Sequence, residues 1–204
     1  MESYNIDNEI GIDEAGRGCL MGRVYAGCVI WDNNKKNSDI KDSKKLSRKK
    51  RNKAFEWIKT NLKWGVGFAD ELEVDKINIL NATKLAMKRS LENLKNKYNI
   101  NLNDYIILID GVGFDNLITK NTISIKDGDN KYYSIAGGSI IAKESHDDYI
   151  KDLCKNNIYL VEKYNLNNNM GYGTKKHMEG IEKYGISCFH RKTFKPCYRV
   201  EFID

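Results

Sequence analysis

The stretch that decides the fold is "DYIILID", residues 104–110, which is nearly all apolar until it ends in Asp110. Such a run is typical of a parallel strand that lies inside a sheet and is covered by helices on both faces. In open α/β sheets, functional side chains collect beyond the carboxyl ends of such strands. The pattern therefore predicts a central strand here and a functional site at Asp110, although an Asp-Gly pair is also an ordinary exit into a turn.

The segment "GIDEAGRG", residues 11–18, contains the end of a first predicted strand over 8–13 and combines two opposing signals. Glycine-rich turns usually bind phosphate through backbone N–H groups, whereas the neighbouring Asp13 and Glu14 would repel it. Taken alone, the two acids could be the exposed end of a strand, and the Gly-Arg-Gly part could be a tight turn. A function in phosphate chemistry requires a positive charge that lets the acids and a phosphate anion lie close together.

A divalent cation would reconcile them. If the strands that end at Asp13 and Asp110 are parallel neighbours, their carboxylates lie about 5 Å apart. Carboxylates at that distance raise each other's pKa, and oxygen ligands favour a hard cation such as Mg²⁺ or Mn²⁺. Asp147, one turn past Lys143 in a predicted helix over 134–153, is a candidate further ligand. An exposed helix surface is the plainer interpretation of Asp147 alone.

The remaining patterns alternate between strands and helices. Further strands are predicted over 23–32, 64–70 and 121–125, and helices from Ser47 to about Leu62, up to about Tyr98, and from Thr174 to just before Gly185. Early strands followed by alternating helices and strands predict a mixed α/β sheet with a helical C-terminal extension.

Composition restricts the location and the class of the protein. The 204 residues suit one domain, and 41% hydrophobic residues can fill its core. No apolar run approaches the roughly 18 residues that span a bilayer, and the N-terminus lacks a signal-peptide pattern. Five scattered cysteines indicate reduced thiols, and the spacing of Cys188, His190 and Cys197 does not fit a structural zinc site. We expect a cytoplasmic protein without a membrane partner.

The positive charge is concentrated in two runs. The net charge is +6, and the runs are "KDSKKLSRKK" (41–50) and "HRKTFK" (190–195). Such runs are compatible with a polyanionic partner, but a charge run is more often a solvated face. Charge alone therefore does not establish nucleic-acid binding.

Six motifs occur in one order and give a stronger signal. They are "GIDEAGRG" (11–18), "DSKKLS" (42–47), "NILNATKLAM" (78–87), "ILIDG" (107–111), "SIAGGSIIAK" (134–143) with Asp147, and "GYGTKKH" (171–177). Together they resemble type 2 ribonuclease H, the ribonuclease HII family, from about residue 9 to 196.

The resemblance implies an RNase H-like α/β fold, a five-stranded mixed sheet flanked by helices. It implies a single catalytic domain over 1–204, in which about 158–204 forms a C-terminal helical substrate-binding extension. The family cuts RNA in RNA–DNA hybrids and also cuts duplex DNA on the 5′ side of a single embedded ribonucleotide, leaving a 3′-hydroxyl and a 5′-phosphate.

The resemblance also implies roles for particular residues. The catalytic metal ligands would be Asp13, Glu14, Asp110 and Asp147, which hold one or two Mg²⁺ or Mn²⁺ ions. The ribose 2′-hydroxyl at the RNA–DNA junction would be read by Gly16, Arg17 and Gly18, and the next sugar would pack on Tyr172. Flanking phosphates would be held by Lys44, Lys45, Ser139 and Lys143.

The chain departs from the family pattern at several positions. Prolines that usually follow the Gly-Arg-Gly motif are replaced by Cys19 and Arg23. Met170 stands in place of a basic residue, and Asp127 in place of the lysine before the "GD" at 128–129. Gly137-Gly138 replace alanines, and Glu144-Ser145-His146 is an unusual run into Asp147. These departures bear on substrate affinity and metal preference.

Three alternatives remain to be compared. Ribonuclease HIII shares the fold and the acids but lacks Gly-Arg-Gly at this position and usually has an extra N-terminal domain. A protein that binds hybrids without cutting them would have lost at least one carboxylate. A nucleotide-binding switch would carry the GxxxxGK[ST] loop, which this sequence lacks. The motifs favour ribonuclease HII, acting as a monomer without an obligate protein partner.

Overall fold

The computed structural model of the protein describes residues 1–3, 8–35, 40, 43–114, 117 and 119–200. Its strands are β1 (Glu9–Ala15), β2 (Val24–Ile30), β3 (Lys63–Ala69), β4 (Ile106–Asp110) and β5 (Thr122–Ile125). Its α-helices are α1 (Arg48–Asn61), α2 (Glu71–Tyr98), α3 (Tyr133–Asn156), α4 (Ile158–Tyr164), α5 (Leu166–Asn169) and α6 (Lys175–Tyr184). Short 3₁₀ helices span Ser43–Lys45, Leu102–Asp104, Gly128–Asn130 and Cys197–Arg199.

The five strands form one mixed sheet in the order β3-β2-β1-β4-β5. β2 is antiparallel to both β1 and β3, whereas β4 is parallel to both β1 and β5. The apolar strand that ends in Asp110 therefore lies between two parallel neighbours, as the sequence predicts. The register pairs Ile12 with Ile109, so the next residues along, Asp13 and Asp110, leave the sheet side by side.

Helices cover both faces of the sheet. α2 packs on one face, where its apolar residues meet Ile10, Ile12 and Ile109 in a dry core. α3 crosses the other face, and α1 lies beyond it in a second apolar cluster that includes Val29 and Ile140. The alternation of strand side chains assigns each to one of these two layers. The α/β layering predicted from the sequence is confirmed.

The approach of α3 to the sheet depends on glycine. A Cβ atom on Gly11 in β1 would lie 2.1 Å from the backbone nitrogen of Ile135, and one on Gly27 in β2 would lie 2.4 Å from the carbonyl oxygen of Gly138. Because no side chain fits there, the helix backbone rests directly on the strands. This contact brings the polar residues of α3 close to the end of β1.

α2 differs from the uninterrupted helix that the sequence predicts. It begins with a capping box between Asp70 and Glu73, but Asn78 has φ 65° and ψ 164°, which breaks the helix. The Asn78 side chain accepts a hydrogen bond from the backbone N–H of Asn81 at 3.1 Å, as an N-cap residue does. The two parts of α2 therefore meet at a kink that the asparagine caps.

The C-terminal part of the described chain is helical. α4, α5 and α6 pack around an apolar cluster with Leu20, Met21 and Ile150. Thr174 precedes α6 as predicted, although its side chain forms no capping hydrogen bond, and Gly185 ends the helix at φ 73°. None of the helices in the described ranges is long and apolar enough to cross a bilayer.

The close contact between α3 and β1 generates a stability prediction. Gly11→Ala places a methyl group on the backbone of α3 and should lower the free energy of unfolding by about 3 kcal/mol or more. Gly137→Ala is the matched control, since its Cβ would meet only the Val29 side chain at 3.3–3.4 Å. That helical substitution should change stability by no more than about 1 kcal/mol. Urea denaturation measures both, and equal effects would contradict the packing described.

Candidate active site

Three carboxylates meet beyond the ends of β1 and β4. One oxygen from each of Asp13, Asp110 and Asp129 lies within 4.8 Å of the others. Asp13 and Asp110 are brought together by the parallel pairing of their strands, as the sequence predicts. Asp129 comes from the 3₁₀ helix Gly128–Asn130, which lies between β5 and α3. We call these three residues the acidic cluster.

Asp110 itself fixes the segment that carries Asp129. The backbone N–H of Gly128 donates a hydrogen bond to Oδ1 of Asp110 at 2.7 Å. A Cβ at position 128 would lie 2.5 Å from Cδ1 of Ile135, so the glycine lets the segment approach without displacing the end of that side chain. Asp129, next in the chain, is thereby held as a buried residue beside Asp110.

The electrostatics of the acidic cluster favour a cation. Asp13 is 3% exposed; its Oδ1 accepts a hydrogen bond from the Glu14 N–H at 2.7 Å. Its Oδ2 is buried and has no hydrogen-bond partner among the described residues. Burial, reinforced by the charges of Glu14 and Asp110, raises the pKa of Asp13 well above its usual value. A buried oxygen without a partner among three carboxylates is the donor set that hard divalent cations select.

Glu14 lies beside the acidic cluster and outside it. Its Oε1 accepts a hydrogen bond from Nη1 of Arg17 at 3.1 Å, and both side chains are partly exposed. Glu14 is thus close to the cluster through its neighbour Asp13, with its charge partly balanced.

Asp147, which the family resemblance predicts to be a metal ligand, lies outside the acidic cluster. Its Oδ1 accepts hydrogen bonds from Lys143 Nζ at 2.8 Å and from His146 Nδ1 at 3.2 Å. Its Oδ2 accepts one from Arg51 Nη2 at 3.2 Å. Burial raises the pKa of Asp147, but the His146 and Lys143 hydrogen bonds outweigh it and hold that pKa below its usual value. Its oxygens are therefore already engaged by cationic and polar neighbours.

Asp129 is the functional candidate that reasoning from the sequence missed. The residue lies in the short polar segment between two predicted elements, where periodicity gives no information about position. The available signal was the "GD" at 128–129, which belongs to the family pattern. Asp147 was expected from its position one turn past Lys143 and from the family resemblance, whereas the 3₁₀ helix Gly128–Asn130 places Asp129 beside Asp13 and Asp110.

The Gly-Arg-Gly segment and Tyr172 lie together. Gly16 has φ 84°, and Arg17 and Gly18 are exposed. Cys19 pairs with Tyr172 in a short antiparallel bridge, and Tyr172 is 39% exposed. The structure thus brings together the residues predicted to read the two sides of an RNA–DNA junction.

Cys19, where the family pattern has proline, is buried in this contact. Its Sγ lies 3.4 Å from the Met170 carbonyl and 3.6 Å from His146 Nε2. Burial raises the pKa of the thiol to about 11, so the residue is a neutral packing group. The loop is held here by contacts with other segments and does not need the ring of a proline.

The residues predicted to hold phosphates differ in accessibility. Lys45 is exposed, and its Nζ donates a hydrogen bond to Asn130, next to the acidic cluster. Ser139 is 2% exposed, and its hydroxyl lies 2.8 Å from that of Ser43. Lys143 is partly exposed while bound to Asp147. The side chain of Lys44 lies outside the described part of the chain.

Zinc binding by Cys188, His190 and Cys197 has no support in the structure. Nδ1 of His190 accepts a hydrogen bond from the Ser187 N–H, and its Nε2 lies 3.1 Å from His177 Nε2. Both ring nitrogens are therefore occupied within the protein. All five cysteines are free, and only Cys188 among them is exposed.

Comparison with known proteins gives a consistent result. The sequence model of the family described as Ribonuclease HII matches residues 10–197. Ribonuclease HII of Rickettsia akari is 46% identical over 188 residues, which cover 92% of this chain and 91% of the relative. Ribonuclease HII of Pelagibacter ubique is 42% identical over 186 residues, covering 91% and 95%.

The fold is also that of a solved nuclease. The crystal structure of ribonuclease H2 from Pyrococcus horikoshii superposes with a TM-score of 0.70 at 23% identity, covering 94% of this chain and 96% of that one. The mixed sheet and the acidic cluster at its edge define an enzyme of the RNase H-like class. Within that class, the chain belongs to the ribonuclease HII family. It is a ribonuclease H endonuclease that acts on RNA–DNA hybrids.

The composition of the acidic cluster generates a prediction about metal binding. Asp129→Asn should weaken Mn²⁺ binding at least about tenfold, because it removes a charged ligand from the cluster. Asp147→Asn should leave Mn²⁺ affinity nearly unchanged. It should instead lower the free energy of unfolding by about 2 kcal/mol, because Arg51 loses one charged hydrogen bond while it keeps its ion pair with Glu144.

Isothermal titration with Mn²⁺ and thermal denaturation measure the two effects separately. A larger loss of affinity in Asp147→Asn than in Asp129→Asn would show that Asp147 is the ligand. The charge change is the same in both variants, so each serves as the control for the other.

Proposed function

We propose that the enzyme nicks duplex DNA on the 5′ side of a single embedded ribonucleotide, leaving a 3′-hydroxyl and a 5′-phosphate. This reaction would begin the removal of ribonucleotides during DNA replication and repair, alongside the cutting of longer hybrids. The observation that carries the proposal is the adjacency of the acidic cluster to the Gly-Arg-Gly segment, which follows Asp13 and Glu14 after one residue. Cutting and recognition would therefore act on the same stretch of strand.

Recognition would depend on the ribose 2′-hydroxyl, the group that distinguishes a ribonucleotide from its deoxy neighbours. The Gly16 conformation exposes the following two residues, so that the Arg17 side chain and the backbone at Gly18 can reach this hydroxyl. The exposed part of Tyr172, next to Cys19, would pack on the sugar of the following nucleotide. A second 2′-hydroxyl at that sugar would fit less well, which favours RNA-to-DNA junctions.

Binding of the duplex would depend on phosphate contacts that do not read base sequence. Lys45 is exposed and Lys143 is partly exposed, and we assign them flanking phosphates. Ser139 is buried against Ser43, so its contact would need a phosphate that reaches deep beside Asp13. Lys44 is assigned the same role on the family pattern.

Metal binding is assigned to Asp13, Asp110 and Asp129, with Glu14 beside them. One or two Mg²⁺ or Mn²⁺ ions would lower the pKa of the attacking water and stabilise the charge on the leaving 3′-oxygen. Asp13 would contribute its unpartnered Oδ2, and Asp110 would hold its orientation through the Gly128 N–H. The His146 and Lys143 hydrogen bonds lower the pKa of Asp147 and favour its ionised form, and this carboxylate would orient Lys143 toward the strand.

The remaining features of the proposal concern organisation. We infer a single catalytic domain over 1–204 in which about 158–204 helps to bind substrate, since Tyr172 comes from this helical part and reaches Cys19. We expect a monomer in the cytoplasm that needs no obligate protein partner. These expectations are carried by the sequence.

A comparison of three duplexes tests the proposed function. The wild-type enzyme with Mg²⁺ or Mn²⁺ should nick a duplex with one ribonucleotide and leave an all-DNA duplex intact; a long RNA–DNA hybrid provides the reference rate. Arg17→Ala and Tyr172→Ala should lower kcat/KM on the single ribonucleotide relative to the hybrid by about tenfold each, as expected for one lost contact.

Tyr198→Ala, at an exposed tyrosine of the same extension to which no junction contact is assigned, is the control and should retain the ratio. Failure of the wild type to nick the single ribonucleotide would overturn the substrate assignment. Unchanged ratios in both Arg17→Ala and Tyr172→Ala would overturn the recognition scheme while leaving the nuclease activity in place.

A further inference from the structure

Arg191 is a fully buried arginine that binds backbone carbonyls. It is 0% exposed, and among the described residues no carboxylate forms an ion pair with it. Burial lowers its pKa from the usual range of arginine. A buried charge is retained only where hydrogen bonds compensate for lost hydration. The position of those hydrogen bonds therefore indicates what the residue does.

All three hydrogen bonds end on the loop that begins with the Gly-Arg-Gly segment. Nη2 donates to the carbonyl of Gly16 at 2.8 Å and Nη1 to that of Arg17 at 2.9 Å. Nε donates to the carbonyl of Gly22 at 2.9 Å. The backbone N–H of Arg191 adds a fourth bond, to Leu20 at 2.9 Å. Arg191 thus binds backbone carbonyls at both ends of the loop formed by residues 16–22.

These contacts determine where the loop's own donors point. In a trans peptide the C=O and the N–H point in opposite directions. Because the carbonyls of Gly16 and Arg17 face Arg191, the N–H groups of Arg17 and Gly18 face away from it. Neither N–H has a protein acceptor among the described residues. Arg191 therefore presents two consecutive backbone donors on the outer side of the loop.

The preceding residue, His190, reaches the other recognition element. Its Nδ1 accepts the Ser187 N–H at 2.9 Å, so in the neutral ring its Nε2 carries the proton. That N–H donates to Nε2 of His177 at 3.1 Å, and Nδ1–H of His177 donates to the carbonyl of Tyr172 at 3.0 Å.

Both rings are buried, at 1% and 0% exposure. Burial lowers the pKa of His190 to about 3 and also lowers that of His177, which keeps both rings neutral at physiological pH. The chain of donors and acceptors allows one tautomer for each ring. It therefore has a single direction, which ends at the backbone of Tyr172.

We propose that His190 and Arg191 are positioning residues that fix the Gly-Arg-Gly segment and Tyr172 relative to each other. Selection of a ribonucleotide junction would then depend on two adjacent residues that do not touch the substrate. Arg191 acts through the carbonyls of Gly16 and Arg17, and His190 acts through His177. The inference rests on the proposed function, because selectivity at the junction is what the pair would control.

Arg191→Lys tests the contacts of Arg191 with the loop. Lysine keeps the charge but cannot donate to three divergent carbonyls, so kcat/KM for the single ribonucleotide should fall about tenfold relative to the long hybrid. Mn²⁺ affinity should be unchanged. Combining it with Arg17→Ala should give less than the product of the separate effects, because both changes act on one loop. An equal loss of activity on both substrates would overturn the positioning role.

Arg89→Lys is the matched control for loss of structural arginine contacts. Arg89 donates to the Phe68 carbonyl at 2.8 Å and to both oxygens of Glu73, away from the recognition loop. This variant should lower Tm and retain the selectivity ratio. A fall in its ratio like that of Arg191→Lys would overturn the specific role of Arg191.

Two substitutions at His177 test the hydrogen-bond chain from His190 to Tyr172. They also test the positioning role if Arg191→Lys does not fold. Asparagine can place its N–H₂ near the position of Nδ1 and donate to Tyr172, whereas glutamine places it near Nε2. His177→Asn should therefore retain more selectivity than His177→Gln. Equal selectivity ratios in the two variants would contradict a role for this hydrogen-bond chain.

Failure of the wild type to nick the single ribonucleotide would overturn the proposed function. Normal wild-type selectivity with unaffected variants would overturn this inference alone.

Discussion

Repulsion between carboxylates is the constraint on which the rest of this structure depends. Asp13, Asp110 and Asp129 are held within 4.8 Å of one another at the end of a parallel strand pair. Asp13 is buried, and one of its oxygens has no hydrogen-bond partner among the described residues. Burying such a group lowers the stability of the folded protein unless a ligand binds it. The surrounding fold holds these groups together against their electrostatic repulsion. A hard divalent cation would remove that repulsion by binding the three carboxylates.

The fold holds the acids by direct backbone contact. Gly11 and Gly27 let α3 rest on the strands, while the Gly128 N–H binds Asp110 and brings Asp129 into place. Around this centre the cations are arranged at a distance: Arg51 and Lys143 engage Asp147, and Arg17 engages Glu14. The site therefore keeps three carboxylates together for a metal while its neighbours already have partners in the protein.

Much of this arrangement could be predicted from local patterns. The apolar run ending at Asp110 and the segment around Asp13 correctly predicted two parallel strands with adjacent acids. The kink at Asn78 and the role of Asp129 could not be predicted in this way. Asn78 lies within an otherwise helical pattern, and Asp129 lies in a short polar segment that contacts Asp110 through the Gly128 N–H. Asp147 was expected to be a ligand from its place in the helix and from the family resemblance, neither of which shows that Arg51 reaches it from α1.

Anomalous diffraction from a crystal grown with Mn²⁺ locates the metal without reference to activity and shows which carboxylates bind it. The account predicts an anomalous peak within coordination distance of Asp13, Asp110 and Asp129, about 2.0–2.4 Å from each bound oxygen as for hard cations in general. It also predicts that Asp147 remains bound to Arg51 and Lys143. A peak bound by Asp147, with Asp129 turned away, would contradict the account.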